Sequence, residues 1–144
     1  MTLPPHYTLH PRNPTLAEYF AISNAVGRQG ELNHKAVQIA LSHSLYTVVI
    51  EYQRQAIGMG RIIGDGAIFF YIQDIAVKPA HQGRGVGTAI MHHLLNYISA
   101  TAPNKAFIGL FTAPNNTRFY KRFGFLSNLG LTGMYQVHSS NIGA

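Results

Sequence analysis

Apolar and polar positions alternate along this chain with a period that changes several times, and each change marks an element. Tyr7–His10 reads as a short opening strand. Pro14 then introduces a helical pattern through Leu16, Tyr19, Phe20, Ile22 and Val26, which Gly27 and Gly30 close. A second helix is predicted from about His34 to His43, with Ala36, Val37, Ile39, Ala40 and Leu41 as its apolar positions. Three strands follow. Leu45–Tyr52 (LYTVVIEY), Ala56–Ile63 (AIGMGRII) and Ala67–Val77 (AIFFYIQDIAV) are rich in β-branched and aromatic residues. The polar turn Gln53–Gln55 and the hairpin signal Gly64-Asp65-Gly66 join them into an antiparallel meander, and Pro79 ends the third.

From Val86 the period becomes helical, through Ile90, Leu94, Tyr97 and Ile98, and it stops near Thr101–Pro103. Lys105–Ala113 (KAFIGLFTA) is another apolar strand, reached through a helix and so predicted parallel to the strand before it. Pro114-Asn115-Asn116-Thr117 starts a short helix, capped by Asn115 or Asn116, that runs through Phe119 and Tyr120 to Phe123 and ends at Gly124. Phe125–Leu126 and Met134–His138 are predicted final strands, separated by Ser127–Gly133. The order is that of one mixed α/β (α+β) domain over residues 1–144, with an antiparallel half and a parallel crossover.

Composition narrows the class. Eight Tyr and eight Phe supply a real core, and the chain has no cysteine, which excludes disulfides and a thiolate nucleophile. No segment reaches the roughly 18–20 apolar residues that cross a bilayer. The opening MTLPPHYTLHPRNP reads as ordinary mature sequence, so the expectation is a cytoplasmic protein without a membrane partner. Eleven Lys/Arg against five Asp/Glu give +6, a balance that suits anionic ligands. No basic stripe interleaved with aromatics is present, so nucleic acid is not the expected partner. The eight histidines show no ligand spacing and no metal site is expected.

The chemistry concentrates in Gln82-Gly83-Arg84-Gly85-Val86-Gly87-Thr88, where a strand gives way to a helix. A glycine loop opening a helix presents backbone N–H groups and the positive end of the helix dipole to one point, which suits a pyrophosphate. Spacing rejects two phosphate loops. A Walker A loop needs Lys-Ser/Thr after its last glycine, whereas Gly87 precedes Thr88-Ala89. The dinucleotide fingerprint needs G-x-G-x-x-G with an acidic residue about twenty positions on, and neither is present.

Val77-Lys78-Pro79 followed by Gln82–Gly87 resembles the acetyl-CoA signature of the GCN5-related N-acetyltransferase (GNAT) superfamily. Phe119-Tyr120-Lys121-Arg122-Phe123-Gly124-Phe125 resembles that superfamily's F-Y-x-x-x-G-F element, and the two are separated by helix, strand and short helix, as in the family. The resemblance implies a central sheet, flanked by helices, that splays between the fourth and fifth strands to admit acetyl-CoA. It implies that the N–H groups of Gln82, Gly83, Arg84, Gly85, Val86, Gly87 and Thr88 hold the pyrophosphate. Ile75, Ala76 and Val77 would pair with the pantetheine arm, the Val77 N–H would hold the thioester carbonyl, and Asn116 would touch the arm. Arg84, Arg118 or Arg122 would meet nucleotide phosphates or stand as solvated charges. Polar Gln73 and Asp74 interrupt the fourth strand where the family carries a bulge.

Acyl transfer from a thioester to an amine needs a donor for the developing oxyanion, a proton for the departing sulfur and an acceptor for the amine's proton. Tyr120, matching the family's general-acid position, is the candidate proton donor. Asp74 has three readings: a general base, a holder of the acceptor's ammonium or hydroxyl, or a carboxylate satisfied by backbone N–H groups. Some relatives carry glutamate where this chain has Gln73, which removes one candidate base and leaves a water chain as another route. The expectation is an acetyl-CoA-dependent N-acetyltransferase acting on a small amine, an amino acid or a peptide by direct attack in a ternary complex. The alternatives are a non-catalytic acyl-CoA-binding or sensor domain of the same fold and, more distantly, a nucleic-acid-binding protein. Domains of this family often pair, so a homodimer is among the expectations.

Overall fold

The computed structural model describes residues 3–28, 32–127 and 130–139. The chain divides into two compact units, Met1–Leu110 and Phe111–Ala144. The first holds a five-stranded sheet in the order β1 (Tyr7–His10), β2 (Tyr46–Tyr52), β3 (Gln55–Gly64), β4 (Phe69–Val77), β5 (Phe107–Gly109). β2, β3 and β4 form the antiparallel meander and β5 runs parallel to β4, as the sequence predicts, and β1 adds antiparallel to β2. Gln53 and Arg54, both at positive φ, close the β2–β3 hairpin. Asp65 closes the next: its Oδ1 accepts from the N–H groups of Ala67, Ile68 and Phe69 at 2.7, 2.8 and 3.0 Å. Those bonds hold the carboxyl below its usual range and delay β4 to Phe69, two residues later than its apolar run begins.

Helices cover both sheet faces. α1 (Leu16–Ala25) begins with a capping box that the periodicity did not single out: Thr15 Oγ1 accepts from Glu18 N at 3.1 Å and Glu18 Oε1 accepts from Thr15 N at 2.8 Å. Gly27, at φ +79°, follows its end, and Gly30 lies outside the described residues. α2 (His34–Ser42) is capped by Asn33. Tyr19, Ile22, Val37 and Leu41 from these helices pack with Val49, Met59 and Ala76 of the sheet. α3 (Val86–Thr101) covers the opposite face, where Gly58 and Gly60 let Val86, Ile90 and Leu94 come against β3. A Cβ at Gly60 would sit 2.6 Å from Ile90 and Ile75, so the helix depends on its absence. Among the described residues no helix is long and apolar enough to cross a membrane.

In the second unit a 3₁₀ turn (Pro114–Asn116) leads into α4 (Thr117–Lys121), and Gly124 at φ +87° follows. Two expectations change. β5 occupies only Phe107–Gly109 of the apolar run Lys105–Ala113. The described residues of Phe125–Leu126 and Met134–His138 form no strand, and Met134, Tyr135 and Val137 are exposed. Alternating apolar residues favour an extended chain, but a strand also needs a neighbour to take its backbone hydrogen bonds.

Candidate active site

β4 is paired on one side along most of its length and open on the other. β5 meets it only at Phe69–Tyr71, so from Ile72 to Val77 no described strand lies on that edge. The pairing with β3 then slips: Met59 faces Ala76 but Arg61 faces Gln73, leaving Asp74 and Ile75 opposite Gly60. This is the bulge that the polar pair announced, and Asp74 takes a left-handed φ of +57° to make it. At the strand's end Lys78 N donates to Ile57 O at 2.8 Å, which makes 57 and 78 a hydrogen-bonded rung. Pairing alternates in an antiparallel ladder, so the N–H of the next residue, Val77, turns away from β3 toward the open edge.

The loop that follows is shaped by backbone. Lys78 N-caps a 3₁₀ turn (Pro79–His81), and the Gln82 side chain returns to donate from Nε2 to Val77 O at 2.9 Å. Gln82 N donates to Pro79 O, so the run of N–H groups facing outward starts at Gly83. Gly83 and Gly85 have φ of +74° and +83°, and a Cβ on either would meet nothing within 4 Å. The glycines are required by the backbone's turn, and the space beside them is empty of protein. Gly85 caps α3 without a side chain, and its carbonyl accepts the first helical bond from Ala89. Val86 is buried and anchors this turn to the core. A cradle of this kind fits a pyrophosphate.

Arg84, from the same loop, reaches back to β1. Its Nη1 donates to the Tyr7 hydroxyl at 3.3 Å, and that hydroxyl lies 2.7 Å from His81 Nδ1. A guanidinium only donates, so the Tyr7 proton is directed to His81 Nδ1. Burial, then the charges of Arg84 and Lys78, hold the His81 imidazole below its ordinary pKa, and it sits neutral against Tyr7 and Tyr52.

Asp74 is fastened by residues that sequence reasoning did not single out. Arg61 Nε donates to its Oδ2 at 2.7 Å, and Arg28 Nη1 to its Oδ1 at 3.1 Å, while Arg28 Nη2 donates to Ile75 O at 2.8 Å. Arg61 Nη1 continues to Ala40 O and Ser44 Oγ at 3.3 and 3.1 Å. The buried Tyr19 hydroxyl faces the same carboxylate; burial first, and then the Asp74 charge, raise its pKa. One signal was available for Arg61. A lone arginine in an apolar strand, set across a hairpin from a lone aspartate, is a cross-strand ion pair once the Gly64-Asp65-Gly66 turn fixes the register. Arg28 had no such signal, because 46 residues separate it from Asp74.

In the second unit Tyr120 is half-buried on α4, with Phe119 edge-on at 5.0 Å and Phe125 at 6.3 Å. Arg122 lies over the Phe119 ring at 5.1 Å. Asn116 is the positional N-cap of α4 but makes no side-chain cap bond. Among the described residues no three His, Cys, Asp or Glu come together in a metal-binding group.

The chain is similar to known proteins in sequence and in fold. The acetyltransferase (GNAT) domain family matches residues 43–126. A chloroplastic GCN5-related N-acetyltransferase of Arabidopsis thaliana is 31% identical over 101 residues, covering 68% of this chain and 50% of that protein. The chain thus spans about half the length of that relative. A Staphylococcus aureus protein described as a probable acetyltransferase has the same structure at a TM-score of 0.85, with 31% identity over 92% of this chain and 99% of its own. A GNAT family acetyltransferase of Streptococcus pneumoniae follows at a TM-score of 0.75 and 27% identity, over 92% and 98% of the two chains. With the bulged fourth strand, the left-handed glycine loop and these relatives in agreement, the chain belongs to the GNAT acetyltransferase family.

Proposed function

We propose that this protein is an N-acetyltransferase that moves an acetyl group from acetyl-CoA to the primary amine of a small molecule within a ternary complex. The observation that carries the reading is the end of β4, where the Val77 N–H turns to an open strand edge immediately before the Gly83–Gly85 loop. Acetyl-CoA supplies an acetyl group activated as a thioester. Backbone N–H groups from Gly83 to Thr88 bind its pyrophosphate, helped by the α3 dipole. Ile75, Ala76 and Val77 pair with the pantetheine arm, and Asn116 contacts it.

In the reaction the acceptor nitrogen forms a bond to the acetyl carbon as the carbon–sulfur bond breaks; the nitrogen loses one proton and the departing sulfur gains one. The Val77 N–H donates to the carbonyl oxygen as negative charge develops there. Tyr120 donates the proton to sulfur, a role that rests on its place in the Phe119–Phe125 motif. Asp74, already accepting from Arg28 and Arg61, holds the acceptor as its ammonium, which first gives one proton to water to become the free amine; the attacking amine then loses its second proton to water as the new bond forms. The test is release of free CoA thiol on incubation with acetyl-CoA and a broad panel of amines. Tight acetyl-CoA binding with no thiol release above hydrolysis for any amine would leave a binding domain without turnover and refute the enzymatic reading.

A further inference from the structure

A cleft of about 200 Å³ opens between α1, α2 and β3, lined by Leu32, Val37, Ala40 and Leu41 with Tyr19 and Arg61 among its polar walls. Tyr19, Leu41 and Arg61 also pack around Asp74, with no room for a water between them. The cleft therefore has an apolar mouth on α2 and an inner wall, Tyr19 and Arg61, that lies against the carboxylate beside the β4 bulge. Three properties constrain what fits it. Its volume suits a compact molecule and not a folded peptide segment. No carboxylate lines the cleft itself, and a guanidinium does, so a polycation is repelled. Arg61 has Nε on Asp74 and Nη1 on Ala40 and Ser44, while its Nη2 makes no hydrogen bond among the described residues. That leaves donors for an acceptor group that the protein does not provide.

We propose that this cleft is the acceptor site and that it selects an α-amino acid with a compact apolar side chain, its carboxylate on Arg61, its side chain against Val37 and Ala40, and its amino group toward Asp74. This rests on the acetyltransferase reading above for the identity of the second substrate, but the cleft's preference is a property of the first unit alone. A charge-assisted bond from Arg61 to the carboxylate separates an amino acid from the amine that lacks it. The apolar wall separates leucine from polar amino acids.

The experiment uses the full chain with leucine, 3-methylbutylamine (leucine without its carboxylate) and spermidine as acceptors, and the variant Ala36→Phe, which fills the mouth of the cleft from an exposed helix position. Acetyl-CoA affinity is measured by calorimetry, and leucine binding by saturation-transfer NMR without acetyl-CoA. The expected result is at least a tenfold higher kcat/KM for leucine than for either amine, and at least a tenfold loss of it in Ala36→Phe with acetyl-CoA affinity unchanged. Equal or better use of 3-methylbutylamine or spermidine overturns the proposal, as does an Ala36→Phe variant that handles leucine like the parent. Should no acetyl-CoA bind, the acetyltransferase reading fails by itself. A leucine saturation-transfer signal that is present in the parent and vanishes in Ala36→Phe then still supports the cleft, and the lack of that signal in the parent overturns it.

Discussion

Gly85 and Gly27 form a matched pair that separates what a loop needs to fold from what it needs to bind. Both sit in the left-handed region, at φ +83° and +79°, and a Cβ on either meets nothing within 4 Å. Steric crowding by the protein therefore contributes nothing at either site, and the folding penalty of alanine is the left-handed conformation alone, about 1–2 kcal/mol. For a chain of this size that lowers Tm by about 3–8 °C. Gly27→Ala and Gly85→Ala should lose this stability in similar measure, read from urea unfolding without ligand. They should differ in acetyl-CoA affinity. Position 27 lies after α1, whereas a Cβ at 85 projects from the loop proposed to hold the pyrophosphate. Gly85→Ala should weaken acetyl-CoA at least tenfold, about 1.4 kcal/mol, while Gly27→Ala binds as the parent does. Calorimetric titration of the two folded variants decides it. Equal affinities, whether both retained or both reduced, would refute the phosphate cradle and leave Gly85 as a helix cap only.

Other perturbations test the remaining parts. Tyr120→Phe should lower kcat by about a hundredfold and leave acetyl-CoA affinity intact, measured by thiol release and calorimetry; unchanged turnover would remove the general-acid role. Asp74→Asn leaves Arg61 and Arg28 without their carboxylate and should destabilise the chain by about 2–3 kcal/mol, since Asp74 and Arg61 side chains are only 15% and 13% exposed. An unchanged urea midpoint would show that the cluster does not fasten the bulge. Arg12, by a bidentate pair with Glu18, holds that carboxyl below its ordinary value of 4.5. The native state thus binds fewer protons there than the unfolded chain. The stabilisation is complete above that ordinary value and lost as pH falls through the lower native one. Glu18→Gln should flatten this acid limb of the stability profile, and an identical limb in both proteins would assign the acid loss elsewhere.

Much of this architecture was legible because local periodicity and burial agree. The run LYTVVIEY became β2 and the helical stripe Val86–Ile98 became α3 with little change of boundary, since each had a partner surface inside the first unit. The tail shows the converse. Met134, Tyr135 and Val137 alternate much as a strand should, yet propensity alone assigns no partner, and they lie exposed. In the site, the turn at Gly83 and Gly85 could be read because it is local to seven residues. The clamp on Asp74 could not, because Arg28, Arg61 and Asp74 meet only once α1, β3 and β4 are assembled.

The bulge in β4 also fixes something other than geometry at one site. Successive side chains of a strand point to opposite faces, so one extra residue is a half-period phase shift. Before it, Ile72 pairs with Ile62; after it, Val77 pairs with Gly58, and both partners lie on the α3 side although 72 and 77 differ by an odd number. Asp74 or Ile75 can change identity and leave that phase intact. Deleting either leaves a single residue opposite Gly60 and a regular strand in which Ala76 and Val77 keep their partners and their faces. What the extra residue supplies is the place of Asp74 on the α1 and α2 face, beside Tyr19 and Leu41, with the strand beyond it undisturbed.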